Sequence, residues 1–288
     1  MFKYSVSNWI YGDEKLEDTM KRLSKFGFDG VELMGEPDFY DPDEVNSLCE
    51  KYGLGVLSIA GIYTKGRDLS HPDESERKSA KDYLKKCIDF AVKVKTDVII
   101  VVPTEVGRTK PCEDLSKWLD ESKRQFDFAV ESLKEVAPYA ESKGVFLAIE
   151  PINRYETFLI NTAEEAMKLC EAVGSPAMKI HLDTFHMNIE EKNFYDPFIM
   201  VKDLLVNVHI ADSNRQAVGY GHTDFRSMVK ALKKINYQRA LALEPLPPVP
   251  NPYLAVKLGL YKELWDEYAK VSIERLKTLE KLEESGLL

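Results

Sequence analysis

Asp97-Val98-Ile99-Ile100-Val101-Val102 sets five β-branched residues in a row behind a single aspartate. β-Branched side chains suit the pleat of a strand, and an unbroken apolar run is what a strand covered on both faces needs. The run therefore predicts a buried parallel strand flanked by helices. Working outward, seven more short apolar runs fall at Tyr4 to Asn8, Gly30 to Met34, Gly55 to Ala60, Val145 to Glu150, Met178 to Asp183, Leu205 to Ile210 and Ala240 to Glu244. Longer segments of helical period separate them, and this alternation is the signature of βαβ units.

The helices carry legible punctuation. Asp41-Pro42-Asp43-Glu44 offers an N-cap, a proline at the first helical position and a carboxylate at the third, a capping-box pattern that Thr162-Ala163-Glu164-Glu165 repeats. After Pro252, Leu260, Leu264, Tyr268, Val271, Leu276 and Leu279 recur at roughly helical spacing. One closing helix over 253–285 is expected there. Eight strand–helix pairs with no Gly/Ser-rich linker point to α/β class, a single (β/α)8 TIM barrel in one domain over residues 1–288. Gly219-Tyr220-Gly221 lacks the third glycine of a dinucleotide fingerprint, which argues against an open doubly wound sheet.

Composition narrows the function. The net charge of −9, from 39 basic and 48 acidic residues, disfavours nucleic acid as a partner, because affinity for phosphate backbones comes from clustered Lys and Arg. No stretch approaches the ~20 apolar residues of a membrane span, and Met1-Phe2-Lys3-Tyr4-Ser5 carries no export signal. Cys49, Cys87, Cys112 and Cys170 show no CxxC spacing and read as free thiols of a reducing compartment. A cytoplasmic protein with a small-molecule substrate is expected.

The chemistry-bearing side chains fall at strand ends. Glu150, Asp183 and Glu244 close the fifth, sixth and eighth strands, and His209 sits near the end of the seventh. Neighbouring strands of a barrel deliver their last residues to one rim, where barrel active sites are built. Three carboxylates and one imidazole form a mainly oxygen ligand set for one divalent metal ion. That set suits Mn2+ first, then Co2+ or Mg2+, better than structural zinc.

The segments Glu150-Pro151-Ile152-Asn153-Arg154-Tyr155-Glu156, Leu182-Asp183-Thr184-Phe185-His186-Met187-Asn188-Ile189-Glu190-Glu191, His209-Ile210-Ala211-Asp212-Ser213-Asn214-Arg215 and Leu243-Glu244-Pro245 resemble the signature segments of the D-tagatose/D-psicose (allulose) 3-epimerase family, within the xylose-isomerase-like barrels. The first half agrees mainly in strand rhythm and in Gly27-Phe28-Asp29-Gly30-Val31-Glu32. The resemblance implies that Glu150, Asp183, His209 and Glu244 hold the metal and that Glu150 and Glu244 also transfer protons. It places Glu156, His186 and Arg215 against the sugar near its carbonyl end. The implied reaction is metal-dependent C3 epimerisation of a ketose or keto-sugar acid through an enediolate. A homodimer or homotetramer is implied as well.

Chemistry explains the demand for these groups. A proton beside a ketone is too weakly acidic for an unaided carboxylate, so the oxygen charge that develops must be stabilised. Inversion at C3 needs one group to remove the proton and another to return it to the opposite face. Aldose–ketose isomerisation or dehydration of a keto-inositol uses the same parts. An endonuclease IV-like multi-zinc site needs more histidines than the five present, and a non-catalytic sugar-binding protein is a further alternative.

Other residues carry weaker signals. His181 shares strand parity with Asp183 and reads as barrel-interior packing or support for the site, a role also open to Glu32 at the end of the second strand. His222 is expected to shape the loop after the seventh strand. The basic loop Pro103-Thr104-Glu105-Val106-Gly107-Arg108-Thr109-Lys110 raises the expectation that Arg108 or Lys110 recognises an acidic or phosphorylated sugar.

Overall fold

A computed structural model describes residues 1–288. Its eight strands are β1 (Lys3–Val6), β2 (Gly30–Gly35), β3 (Gly55–Gly61), β4 (Val98–Val101), β5 (Phe146–Ile149), β6 (Met178–Asp183), β7 (Leu205–Ile210) and β8 (Ala240–Leu243). All neighbours pair in parallel, in the order β1-β8-β7-β6-β5-β4-β3-β2. The last seam, between β1 and β2, is joined by one bridge, Ser7 to Glu32, so the sheet is a nearly closed barrel.

The principal helices are α1 (Leu16–Phe26), α2 (Pro42–Tyr52), α3 (Glu74–Lys93), α4 (Trp118–Ser142), α5 (Ala163–Val173), α6 (Thr184–Glu190), α7 (Asp196–Met200), α8 (Phe225–Lys234), α9 (Pro252–Lys257) and α10 (Glu263–Glu284). Sixty-nine buried apolar residues form one contiguous core, as a barrel filled by layers of side chains requires. The run Val98 to Val101 is buried at every position.

Caps act largely where the sequence puts them. Thr162 Oγ1 accepts from the Glu165 amide while the Glu165 carboxylate receives the Thr162 amide, a complete capping box. At α2 the reciprocal half is missing: Asp41 accepts from the Asp43 amide, and Pro42 occupies the first turn. A short-chained aspartate satisfies the nearest amide two residues on, which leaves Glu44 without that task.

The expected closing helix over 253–285 is two helices, α9 and α10. Gly259 (φ +62°) and Tyr261 (φ +62°) both take left-handed backbone between them, which breaks the helix. The break turns α9 over the mouth of the barrel, while α10 packs along its side. Glu280 of α10 accepts the Phe2 amide at 3.0 Å and the Tyr4 hydroxyl at 2.8 Å, tying the last long helix to the first strand.

Candidate active site

At the C-terminal rim, β6 and β7 pair with Asp183 opposite His209, and His209 in turn lies opposite Ala242 of β8. Glu150 and Glu244 are the residues immediately after β5 and β8. This register converges the four groups. His209 Nδ1 lies 3.3 Å from Glu244 Oε2, 3.6 Å from Glu150 Oε1 and 3.9 Å from Asp183 Oδ2. All four side chains are buried.

The two nitrogens of His209 differ sharply. Nε2 lies 2.7 Å from Glu32 Oε1, whereas Nδ1 is buried without a hydrogen-bond partner. A buried imidazole nitrogen that faces three carboxylate oxygens and bonds none of them is placed as a cation ligand would be. The residues present therefore fit a divalent metal of oxygen and nitrogen preference. Overlapping groups of buried donors converge on the same spot: Glu150–His181–His209, Glu32–His209–Glu244 and Glu150–Asp183–His186.

Electrostatics follow from this crowding. Burial pushes the Glu244 carboxyl up to about 7, against the opposing pull of His209 and Arg215 and with Asp183 and Glu150 adding to the rise. Burial also works against the Asp183 anion, yet Arg215, His186 and His209 outweigh it and hold Asp183 well below the usual carboxylate range. His209 is driven well above an ordinary histidine, the Glu244 and Glu32 charges overcoming its burial.

Arg215 is buried, with φ of +62°, and its guanidinium donates to Asp183 Oδ2 at 2.6 Å and to Glu244 Oε2 while lying over the Phe185 ring. His186, in the first turn of α6, comes within 3.6 Å of Asp183 Oδ2 through Nε2. Its Nδ1 meets the Asn153 amide at 2.8 Å, and the same amide donates to Glu156 Oε1 at 2.9 Å. The structure thus gathers the seven residues expected to hold the metal or touch the sugar's carbonyl end around one cavity of about 230 Å3, which Glu150, Glu156, His186, His209, Arg215 and Glu244 line directly and Asp183 borders through Arg215 and His186.

A model of the xylose isomerase-like TIM barrel family matches residues 20–271. The chain belongs to that family. It is 32% identical over 251 residues to a D-psicose 3-epimerase of Enterocloster bolteae, covering 85% of this chain and 80% of that one. It is 29% identical over 259 residues to a ketose 3-epimerase of Arthrobacter globiformis, covering 88% and 85%. The crystal structure of D-allulose 3-epimerase from Methylomonas sp. in complex with D-allulose superposes with a TM-score of 0.84 at 25% identity, covering 96% of each chain. Within the xylose isomerase-like barrels the chain sits among the ketose 3-epimerases.

Three further residues shape the cavity of this xylose isomerase-like barrel and were absent from the sequence expectation. Trp9 donates its indole N–H to Glu244 Oε1 at 2.5 Å and stacks on Tyr253 of α9, ring centroids 5.9 Å apart. Tyr253 reaches Glu156 Oε2 at 3.4 Å, and Asn153 joins Glu156 to His186. Trp9 follows β1 and Asn153 follows β5, so the strand-end rule that finds the acids would have found these two. Tyr253 has no such signal, because its position depends on the break before α10.

The basic loop after β4 is a correction. Arg108 points away from the cavity, bonding Asp68 at 2.8 Å, Ser70 at 2.8 Å and Gln125, with its guanidinium over Phe158. Lys110 pairs with Glu113 on the surface. A buried Asp68 demands a cation, and Arg108 supplies it. Val106 is the loop's contribution to the cavity wall. His222 exchanges bonds with Ser213, which fits a loop-shaping role. His181 is fully buried with both nitrogens unpartnered, its ring edge-on to His209 at 4.1 Å and Nε2 3.6 Å from Glu150.

No helix is long and apolar enough to cross a membrane, and all four cysteines are unpaired.

Proposed function

We propose that this protein epimerises C3 of a small, uncharged ketose, with one divalent cation held by Glu150, Asp183, His209 and Glu244. The observation that carries the reading is His209 Nδ1, buried and unbonded, facing the oxygens of three carboxylates. Mn2+ is the ion of choice for that donor set, with Co2+ and Mg2+ next. Bound there, the cation would supply Lewis-acid stabilisation of negative charge on adjacent sugar oxygens and fix the sugar's orientation.

The chain's own groups do the rest. Glu150 and Glu244 border the cavity from different strands, and one takes the C3 proton while the other returns a proton to the opposite face. A carboxyl pushed up to about 7 by burial, as at Glu244, is suited to holding a proton near neutral pH. Arg215 directs fixed positive charge, and His186 an imidazole, toward the carbonyl end of the sugar, where oxyanion charge grows. Glu156, held by Asn153 and Tyr253, receives a hydroxyl. Trp9 and Tyr253 stack against each other beside Glu244 and present an aromatic wall to the sugar.

The cavity wall argues for a neutral substrate over a keto-acid or a phosphorylated sugar. Arg215 is the one Lys or Arg lining it, and Asp183 and Glu244 already engage that guanidinium. Its volume of about 230 Å3 lies below the ~300–1,000 Å3 of sites for larger ligands and suits one monosaccharide. The ketose epimerase names of the relatives support the same substrate class. We further propose a cytoplasmic homodimer or homotetramer, which light scattering will check.

The test is a panel of free ketopentoses and ketohexoses, keto-acids and ketose phosphates, offered to protein stripped by chelator and reloaded with Mn2+, Co2+ or Mg2+. Chromatography must show the C3 epimer of at least one neutral ketose, abolished by stripping and restored by reloading. Turnover confined to acidic or phosphorylated sugars, or undiminished after stripping, would refute the proposal.

A further inference from the structure

We infer that Glu32, on the far side of the barrel from the strands that carry the candidate ligands, is a positioning residue that fixes which nitrogen of His209 faces the metal site. This rests on the proposed metal reading. A neutral imidazole offers a lone pair on one nitrogen only, and the partner of the other nitrogen decides which. Glu32 Oε1 lies 2.7 Å from His209 Nε2, so when a cation takes the site and the ring gives up one proton, the proton kept is the one on Nε2 and the lone pair is left on Nδ1, the atom that faces Glu150, Asp183 and Glu244.

The carboxylate cannot turn away from this task. Its other oxygen, Oε2, accepts from Ser58 Oγ at 2.6 Å and from Asn207 Nδ2 at 3.0 Å. The Glu32 backbone forms the bridge to Ser7 that joins β1 to β2. Ser58, Glu32 and Asn207 come from β3, β2 and β7, and they form a cradle below His209 with no access to solvent. His209 is the one cationic partner of Glu32. A buried carboxylate without Lys or Arg is a poor stabilising device, since an apolar side chain of similar volume usually serves the fold as well. Orientation of His209 accounts for keeping it.

E32Q and E32A separate the parts of this role. E32Q keeps an acceptor for Nε2–H, and the Asn207 side-chain oxygen, unpartnered in the native protein, can turn to accept from the new amide. E32A leaves Nε2 without an acceptor. Two readouts are needed: the 1H–15N signal of the His209 Nε2 proton, in Mg2+-loaded protein and in metal-free protein at a pH high enough to leave the ring neutral, and Mn2+ affinity by calorimetry. Wild type should give one slowly exchanging Nε2 proton, and E32Q should keep it. E32A should lose it and bind Mn2+ about 10- to 100-fold more weakly, with E32Q falling between.

A folded E32A that keeps the signal, or that binds Mn2+ as wild type does, overturns the inference. If E32A does not fold, E32Q decides alone: a proton on Nε2 supports the role, and a proton moved to Nδ1 overturns it. Should wild type bind no Mn2+, the metal reading fails, while the Nε2 signal of the neutral, metal-free ring still decides what Glu32 does.

Discussion

Arg215 Nη1 stands 2.6 Å from Asp183 Oδ2, and its second nitrogen bonds Glu244, so one guanidinium spans two of the carboxylates that converge on His209. Arg215 thereby competes for the oxygens a cation would use. Replacing Arg215 by Ala should lower turnover about 100-fold or more, yet Mn2+ should bind at least as tightly as to wild type. Arg215→Lys should rescue little, because a single ammonium cannot span both carboxylates. Steady-state kinetics beside metal titration checks this. A parallel loss of metal and turnover would assign Arg215 to holding the site together instead.

Glu150→Gln and Glu244→Gln each keep an oxygen for a cation while removing the group that carries the proton. Each should cost about 10²- to 10⁴-fold in turnover. The double variant should lose far less than the product of the two, because the residues act as one unit. Comparison of kcat across the three variants, with metal content measured in each, provides the check.

His181 is buried with both nitrogens unpartnered, and burial, reinforced by the positive charge of His209, keeps its pKa well below an ordinary histidine. An unfolded chain therefore binds more protons than the folded one once pH falls below about 6.5, and folded stability drops along that limb. His181→Leu removes two unsatisfied polar atoms and should raise stability by about 1 kcal/mol at neutral pH. It should also flatten the decline below pH 6.5. Urea melts at several pH values measure both. A marked loss of stability would mean that the imidazole has partners in solution.

Glu280 joins the closing helix to the barrel through Phe2, Tyr4 and Lys233. Burial works against its charge, but the bonds from Lys233, Tyr4 and the Phe2 amide hold the carboxyl below its ordinary value of 4.5. Its contribution is complete above that value and is lost as pH falls through the depressed one. Glu280→Gln should cost about 1 kcal/mol at pH 7, a modest figure because water reaches Lys233, and the gap from wild type should close in acid. Melts at pH 7 and pH 3 test the sign.

Much of this architecture is legible in the sequence because strands buried on both faces leave local signatures. The runs at Met178 to Asp183 and Leu205 to Ile210 match β6 and β7 at both ends, and so place Asp183 and His209 at one rim. What escapes is set by distance along the chain. The strand-end rule brings Trp9 to the rim, but its bond to Glu244 spans 235 residues and has no local signature. Arg108 looked like a substrate group because its partners Asp68 and Gln125 lie 40 and 17 residues away. The break at Gly259 and Tyr261 sits inside an apolar pattern that continues through it, so spacing alone reads one helix where backbone geometry makes two.

The most direct measurement is turnover in D2O by the Mn2+-loaded protein, with each carbon of recovered substrate and product read by NMR. Deuterium should enter at C3 and accumulate in step with the C3 epimer. Label confined to C1 or C2 would mean that the carboxylates move a proton along the chain of the sugar rather than across one carbon, and the account given for Glu150 and Glu244 would be wrong.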